Sequence, residues 1–233
     1  MRHSRLLLIS LFSLEALALA PHAWAAGDML QPNEIQTHGI EANPANDSGM
    51  FLGGGVMFGQ TYSSEPRSSA GLAYFLNIEP GYQARTGSWN RLEVSGDFLF
   101  GHVDVRTPAE VLGKVSIPLA YGFLARLGYG YSIGNHSFGM LRIGVGPMLG
   151  KLEAHTGGVR VESDSSISGL AAQLAWEMVG PINDTLDWTG GLSLTHMQFD
   201  VGKVQESGGA SYDVSRDLVL NVPTAQIGLR VRF

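Results

Sequence analysis

From Met50 to the last residue, the chain consists of long stretches in which apolar residues alternate with small or polar ones. This period of two is typical of β-strands, because successive side chains of a strand point to opposite faces. The stretches predicted as strands are 50–61, 70–83, 90–103, 114–130, 138–152, 166–179, 186–200 and 217–233. Several reach the roughly nine to eleven residues that a tilted strand needs to cross a bilayer. The prediction is weakest at 50–61, which is rich in glycine, and near His196, where the alternation is interrupted.

The connections between these stretches alternate in length. The short ones are 85–89, 132–137 and 180–185, and the longer ones are 104–114, 153–166 and 202–217, whereas the first, 62–69, is of modest length. Short periplasmic turns and longer extracellular loops are typical of a barrel inserted in one membrane. The predicted fold class is therefore all-β: a transmembrane antiparallel up-and-down β-barrel of about eight strands, with ten strands as the alternative.

Charged residues within the strands fall on the non-apolar face. They are Glu79, Arg91, Glu93, Asp97, Arg126, Arg142, Glu177, Arg230 and Arg232. In a soluble sheet the apolar face would point inward and these charges would be solvated. Long strands with a wide apolar face and mostly small residues opposite instead favour an apolar side toward lipid and a charged, narrow lumen. On the fourth strand, Val115 and Ile117 are counted with Leu119 on the lipid-facing side. The set contains four acids and five bases, so we predict that these side chains form a network of ion pairs in the lumen.

Aromatic residues give a separate indication of the membrane boundary. If the mature N-terminus is periplasmic, five of them lie near the short turns: Tyr82, Trp89, Tyr129, Trp176 and Trp188. Amphipathic rings concentrate where a bilayer meets water. These residues are therefore predicted to form a periplasmic aromatic girdle.

The chain ends with AQIGLRVRF, in which alternate residues are apolar and the last is Phe233. This ending resembles the C-terminal signature of bacterial outer-membrane β-barrel proteins, and the length resembles their small eight-stranded type. The resemblance implies that the barrel assembly machinery reads Ile227, Leu229, Val231 and Phe233. It also implies outer-membrane lipid and lipopolysaccharide as surroundings, and the outer membrane of a Gram-negative bacterium as the location.

The first 25 residues have the organisation of a signal peptide. Arg2 and Arg5 precede the apolar run 6–20, and Ala23-Trp24-Ala25 has the form of a cleavage site. Residues 26–49 are polar, contain two prolines and show no period, which predicts a flexible segment. It is expected to be a periplasmic tail, with entry into the lumen as the alternative. The barrel is assigned to 50–233.

Composition excludes several function classes. The 233 residues contain no cysteine, which excludes disulfides and thiolate chemistry. The net charge of −6 gives no basic surface for nucleic acid. We find no set of His, Asp and Glu with metal-ligand spacing, so neither a metal nor a cofactor is predicted.

The predicted function is a structural or surface-interaction protein of the adhesion type, with a packed lumen and possible ligand contacts at loops 153–166 and 202–217. The first alternative is a lipid A or phospholipid hydrolase. His136-Ser137 is the nearest pair, but neighbours in a short turn point apart, and His102 and His196 are expected on opposite walls. No catalytic residue is therefore assigned. The second alternative, a narrow channel for small or hydrophobic solutes, is disfavoured because about eight strands enclose little space.

Overall fold

The computed structural model describes residues 48–64, 69–86, 90–106, 114–133, 137–156, 159–163, 166–206, 209 and 211–233. All of these belong to one unit that spans 42–233. The predicted signal peptide, residues 26–47, Trp89 and His136 lie outside the described residues. The described part contains no helix long and apolar enough to span a membrane.

The described residues form strands throughout. They are β1 (Gly49–Ser63), β2 (Gly71–Arg85), β3 (Asn90–Arg106), β4 (Lys114–Ser132), β5 (Phe138–Gly150), β6 (Glu153–Thr156), β7 (Val159–Ser163), β8 (Ile167–Pro181), β9 (Leu186–Glu206) and β10 (Ser211–Arg232). Strands β1 to β5 and β8 to β10 pair in order, all antiparallel, and β10 returns to β1. The prediction of an all-β antiparallel barrel of eight strands is confirmed: the described strands close into one ring of eight.

The remaining two strands extend the wall of this ring. β6 pairs with the start of β4, and β7 pairs with the end of β9. The hairpin β6–β7 therefore continues β5 and β8 outward and does not add strands to the ring. This corrects the prediction of a loop at 153–166. It also corrects 202–217, because β9 continues to Glu206 and β10 begins at Ser211.

Strand stagger sets the size of the barrel. The register runs from Gly49 through Gln83, Glu93, Gly128, Arg142, Ala175, Ser193 and Thr224 to Gly59. One circuit of hydrogen-bonded neighbours thus returns to β1 ten residues further along. This stagger corresponds to strands tilted by about 40–45° and to an interior that side chains can fill.

Two ends of the barrel are named for what lies there. The terminal end is where β1 begins and β10 finishes, and the hairpin end carries β6–β7. Between them, the outward side chains of all eight ring strands form an exposed apolar band. Its members include Leu52, Phe58, Leu76, Val94, Phe98, Leu127, Ile143, Leu174, Leu192 and Ile227. The alternation of each strand places these residues on one face and its small or charged residues on the other.

A bulge in β4 overturns one facing assignment. Val103 pairs with Ile117 and Gly101 with Ala120, so two β4 residues lie opposite one β3 residue. The two residues opposite His102 are Pro118 and Leu119, and proline has no N–H to donate to the ladder. The bulge reverses the parity, so Val115 and Ile117 point inward, each 1% exposed, and the prediction that they face outward is wrong.

The predicted interruption near His196 is also wrong. β9 keeps one parity from Asp187 to Val201, with every second side chain inward. What changes there is chemistry. Inward residues change from Thr195 to Met197, and outward residues change from Leu194 to His196. The apparent break in the sequence marks the position on β9 at which the inward face becomes apolar and the outward face becomes polar.

Candidate functional site: the filled barrel interior

The interior at the terminal end is a layer of ten charged side chains, called here the charged layer. All nine residues proposed from the sequence for the lumen network point into it. The members are Glu79, Arg91, Glu93, Asp97, Arg126, Arg142, Glu177, Asp187, Arg230 and Arg232. Asp187 was missed, although it shares the non-apolar parity of β9 with Thr189 and Ser193. With Asp187 included, five bases face five acids.

Two arginines occupy the centre of the charged layer. Arg126 lies 2.6 Å from Asp97 and 3.5 Å from Glu79. Arg142 lies 2.7 Å from Glu93 and 3.4 Å from Glu79, and it also contacts Glu177. These contacts join β2, β3, β4, β5 and β8 across the lumen. Each central arginine is shared by several carboxylates, so the ion pairs form one network.

A second set of contacts lies nearer the terminal end. Arg230 lies 2.6 Å from Glu93, and Arg232 lies 3.0 Å from Asp187. Arg232 also donates to the backbone carbonyl of Asn183 at 3.1 Å. Both arginines belong to the last strand, so the C-terminal residues tie β10 to β3 and β9.

Aromatic faces cover the arginines that have fewer carboxylate partners. The guanidinium carbon of Arg91 lies 3.3 Å from the centre of the Phe138 ring, and that of Arg230 lies 3.7 Å from the Phe51 ring. A cation over an aromatic face is attracted by the ring quadrupole. Arg91 also donates to Gln83 at 2.9 Å. Phe51 and Phe138 were not singled out in the sequence, since an inward aromatic there looks like an exception to the alternation.

Glycine on β4 makes room for these long side chains. A Cβ at Gly130 would lie 2.5 Å from Arg91 Cγ, and one at Gly128 would lie 3.2 Å from Arg142 Cγ. Both glycines point inward, so the absence of a side chain lets each arginine lie across the lumen. Small inward residues in the sequence thus leave the space that the large charged side chains occupy.

Neutral polar side chains form hydrogen bonds with the charged groups at the edges of the network. Ser95 donates to Glu79 at 2.6 Å, and Asn77 donates to Asp97 at 3.0 Å. Gln173 accepts from Arg126 and donates to Thr195 at 3.0 Å. A cavity of about 20 Å³ remains beside Gly53, with Glu177 and Arg230 in its lining. That is roughly the space for one water molecule.

Toward the hairpin end, the interior becomes an apolar layer. Its 22 buried residues are Met57, Ala73, Phe75, Leu99, Val103, Val105, Val115, Ile117, Ala120, Leu124, Met148, Leu152, Ala154, Ile167, Ala171, Met197, Phe199, Val201, Val204, Leu218, Leu220 and Val222. Every strand of the ring contributes, and the hairpin adds Ala154. The lumen is therefore filled by charged side chains at one end and by apolar side chains at the other.

The outer wall becomes polar at the same end. His102 pairs with Asp104 at 3.1 Å and stacks on Tyr74, whereas His196 contacts Asn221 at 2.9 Å. β3 and β9 lie four strands apart in the ring, so the two histidines do not share a site. On the hairpin, Arg160 pairs with Glu153 at 3.0 Å and with Glu162 at 2.9 Å.

Glu162 also pairs with Lys151 at 3.1 Å. The hydrogen bond from Lys151 and the nearby charges of Arg160 and Lys151 hold the pKa of the Glu162 carboxyl below its ordinary value. These contacts link the two strands of the hairpin to the end of β5.

The remaining residues singled out in the sequence lie on the outer wall near the terminal end. Tyr82, Tyr129, Trp176 and Trp188 are outward and partly exposed, and Trp176 donates to the Tyr131 hydroxyl at 3.0 Å. Ile227, Leu229, Val231 and Phe233 are outward as well, and the Phe233 N–H donates to Met50 at 2.9 Å.

Chemically, the interior is self-contained. The buried arginines and carboxylates face one another, and the apolar layer separates them from the hairpin end. Among the described residues, no group of three or more His, Asp or Glu side chains is placed to hold a metal ion.

Comparison with known proteins gives resemblances in fold. No family model and no curated protein matches the chain. The Neisserial surface protein A structure is 15% identical, with 80% of this chain and 99% of that chain covered and a TM-score of 0.47. Ail, the attachment invasion locus protein of Yersinia pestis, is 14% identical, with 79% and 99% covered and a TM-score of 0.43. The outer membrane protease OmpT from Escherichia coli is 6% identical, with 80% and 96% covered and a TM-score of 0.47. Resemblances at this level carry no conclusion about function.

Proposed function

We propose that this protein is an integral outer-membrane β-barrel with a packed lumen, acting as a structural or surface-interaction protein of the adhesion type. The observation that carries the proposal is the exposed apolar band on all eight strands of the ring, part of which surrounds the charged layer directly. A soluble barrel has the reverse distribution, because water rewards burial of apolar surface.

The band is too extensive for a water-soluble surface. Leu192 on β9 is 62% exposed, Ile143 on β5 is 57% exposed and Leu76 on β2 is 60% exposed, although these three strands are not neighbours in the ring. Continuous apolar surface in water leads to association or aggregation. In a bilayer the same surface meets hydrocarbon, and the closed ring leaves no unpaired strand edge in lipid.

Orientation and export form part of the proposal. We place the terminal end in the periplasm, with Tyr82, Tyr129, Trp176 and Trp188 as an aromatic girdle at that interface. Residues 1–25 would act as the signal peptide. The outward C-terminal side chains, including the exposed Phe233, would be available to the barrel assembly machinery before the strand inserts.

The hairpin end is then the extracellular surface. There the strands continue past the apolar band, and residues within 153–166 and 202–217 present a polar outer wall over the apolar layer. This rigid projection favours contact with a surface ligand or with lipopolysaccharide. The two filled layers argue against a channel, since a solute would have to displace both.

The first test is refolding of residues 26–233 from urea into lipid vesicles, followed by gel electrophoresis of boiled and unboiled samples. We expect a compact, β-rich unboiled band that shifts on boiling, and refolding that requires lipid or detergent. Folding into a soluble β protein in plain buffer would overturn the membrane assignment.

A matched pair of variants on β9 sharpens this test. Leu192→Arg changes an outward residue in the middle of the band, and Gln205→Arg changes an exposed residue near the end of the same strand, beyond the band. In a bilayer the first substitution should cost about 2–4 kcal/mol of unfolding free energy and the second about 0–1 kcal/mol. The measurement is urea unfolding in vesicles. Equal costs at the two positions would contradict the membrane boundary.

A further inference from the structure

Four nitrogen-bearing side chains lie side by side on the outer wall at the hairpin end. Arg106 pairs in register with Lys114, Lys114 with His155, and His155 with Arg160. All four are exposed, whereas their sequence neighbours Val105, Val115 and Ala154 are buried in the apolar layer. They therefore form one outward row across β3, β4, β6 and β7, called here the basic row. Directly opposed residues are about 4.5–5.5 Å apart, so the row is roughly 15 Å long.

Such a row is unfavourable without an anion. Like charges directly opposite each other on neighbouring strands repel. Arg160 is compensated by Glu153 and Glu162, at 3.0 Å and 2.9 Å. Within the described residues, Arg106 and Lys114 have no carboxylate within 4.0 Å, although Asp104 lies on the adjacent level. Among the residues that the structure describes, this part of the row is therefore a cationic edge to which no carboxylate is paired directly.

The position of the row indicates the kind of ligand. On β2, next to β3, the exposed Leu72 precedes Ala73, the register partner of Val103, so the apolar band reaches the level of Asp104 there. Arg106 lies two residues further out, which at about 3.3 Å per residue and a tilt of 40–45° is roughly 5–8 Å beyond the band, and each step across the tilted strands toward β7 adds roughly 3 Å. A phospholipid headgroup layer is only about 5–8 Å thick. A headgroup that spans the whole row must therefore project well beyond the phosphate of an ordinary phospholipid.

The row is also one-sided. On β9 and β10, beyond the band, the exposed Asp200 and Asp217 lie opposite each other. An anionic headgroup is thus expected on the β3–β7 side and not all around the barrel.

We propose that Arg106, Lys114, His155 and Arg160 bind the anionic saccharide headgroup of a glycolipid in the surrounding leaflet, such as the phosphorylated core of lipopolysaccharide. This rests on the proposed function, because it requires the barrel to span a membrane with the hairpin end outside. Phosphate groups accept charge-assisted hydrogen bonds from arginine and lysine. A run of donors on a rigid sheet also needs little reorganisation to bind them.

The test uses the refolded chain in phosphatidylcholine vesicles that contain increasing fractions of lipopolysaccharide with a phosphorylated core, of lipid A without core sugars, or of phosphatidic acid. A ligand that binds only the folded state raises the urea midpoint. We expect the largest rise with the core-bearing lipid. In Arg106→Gln/Lys114→Gln, its apparent affinity should fall roughly fivefold for each charge removed. Lys203→Gln, an exposed change outside the row, should leave that affinity unchanged.

The outcomes separate the two proposals. Failure to give a heat-modifiable band in any vesicle would overturn the proposed function and the inference together. A band without preference for the core-bearing lipid, or a preference that the double variant retains, would overturn the inference alone. Equal stabilisation by the delipidated core saccharide in solution would identify a soluble polyanion as the ligand and would also overturn it.

Discussion

The terminal half of the interior and the hairpin half fill similar space with opposite chemistry. In the first, Arg126 and Arg142 are surrounded by carboxylates at 2.6–3.5 Å. In the second, the apolar layer packs around side chains such as Phe199 and Leu220, which are 0% exposed. The outer wall changes as well. It is apolar around the charged layer and becomes polar toward the end of the apolar layer.

This difference indicates what each half requires for a unique structure. At the hairpin end, apolar inside and polar outside specify which way each side chain faces, as in any water-soluble sheet. Around the charged layer the outer wall is apolar, so an apolar interior there would let a strand slip by one residue without an energetic penalty. We infer that the charges specify register there. A slip would carry buried arginines such as Arg142 out toward lipid.

The largest effect is expected from breaking the charged layer at Arg142. Arg142→Met would leave Glu79, Glu93 and Glu177 with one arginine fewer in a buried site. Removing one partner of a buried ion pair costs about 3–5 kcal/mol. The measurement is urea unfolding in vesicles, followed by circular dichroism and by the gel shift. Lys203→Met, an exposed lysine, is the control and should change stability by less than about 0.5 kcal/mol. An Arg142 variant as stable as the control would show that the network contributes nothing to the fold.

A smaller effect is expected in the apolar layer. Ile117→Val removes one methyl group from a fully buried position and should cost about 0.5–1.5 kcal/mol. Leu119→Val, two residues along and 57% exposed on the outer wall, should cost less because it leaves no cavity. The same unfolding assay checks both. Equal costs would contradict the β4 bulge, since an unbroken alternation puts both residues on one face.

Acidification should loosen the hairpin before either interior layer. The folded-state pKa of Glu162 is lowered, first by the Lys151 hydrogen bond and then by the charge of Arg160. The stabilisation that this shift represents is present above the unfolded-state pKa and is lost as pH falls through the lower folded-state pKa. Hydrogen exchange of β6 and β7 amides, corrected for intrinsic rates, should therefore rise selectively below about pH 4.5. In Glu162→Gln this pH dependence should be reduced. Loss of protection in β9 at the same pH would indicate that acid acts on the barrel as a whole.

No change at all is expected in ion conductance when only one layer is altered. Arg142→Ala loosens the charged layer, but the apolar layer still separates the lumen from the hairpin end. Planar-bilayer recordings of the refolded variant should therefore match those of the unaltered chain. Discrete channel events in this variant would show that the charged layer alone closes the barrel. They would support the alternative function of a narrow channel.

Much of the barrel could be predicted from the chain because alternation is a local property. The eight ring strands and the inward direction of residues such as Glu79 and Arg230 follow from parity within each strand. Val115 and Ile117 could not be placed this way, because a bulge at Pro118 depends on how β4 meets β3. The hairpin that extends β5 and β8 could not be predicted either, because its polar outward residues are typical of a loop.

The sequence by itself determined that this chain forms long strands, apolar on one face and charged on the other, because side-chain direction in a strand depends only on residue spacing. Only the tertiary structure decided which charges meet. Arg142 and Glu79 are neighbours because the ring closes with a ten-residue stagger. The same closure places Arg106, Lys114, His155 and Arg160 in one row. Contacts of this kind depend on pairing between strands that are distant in the chain, and no local pattern encodes them.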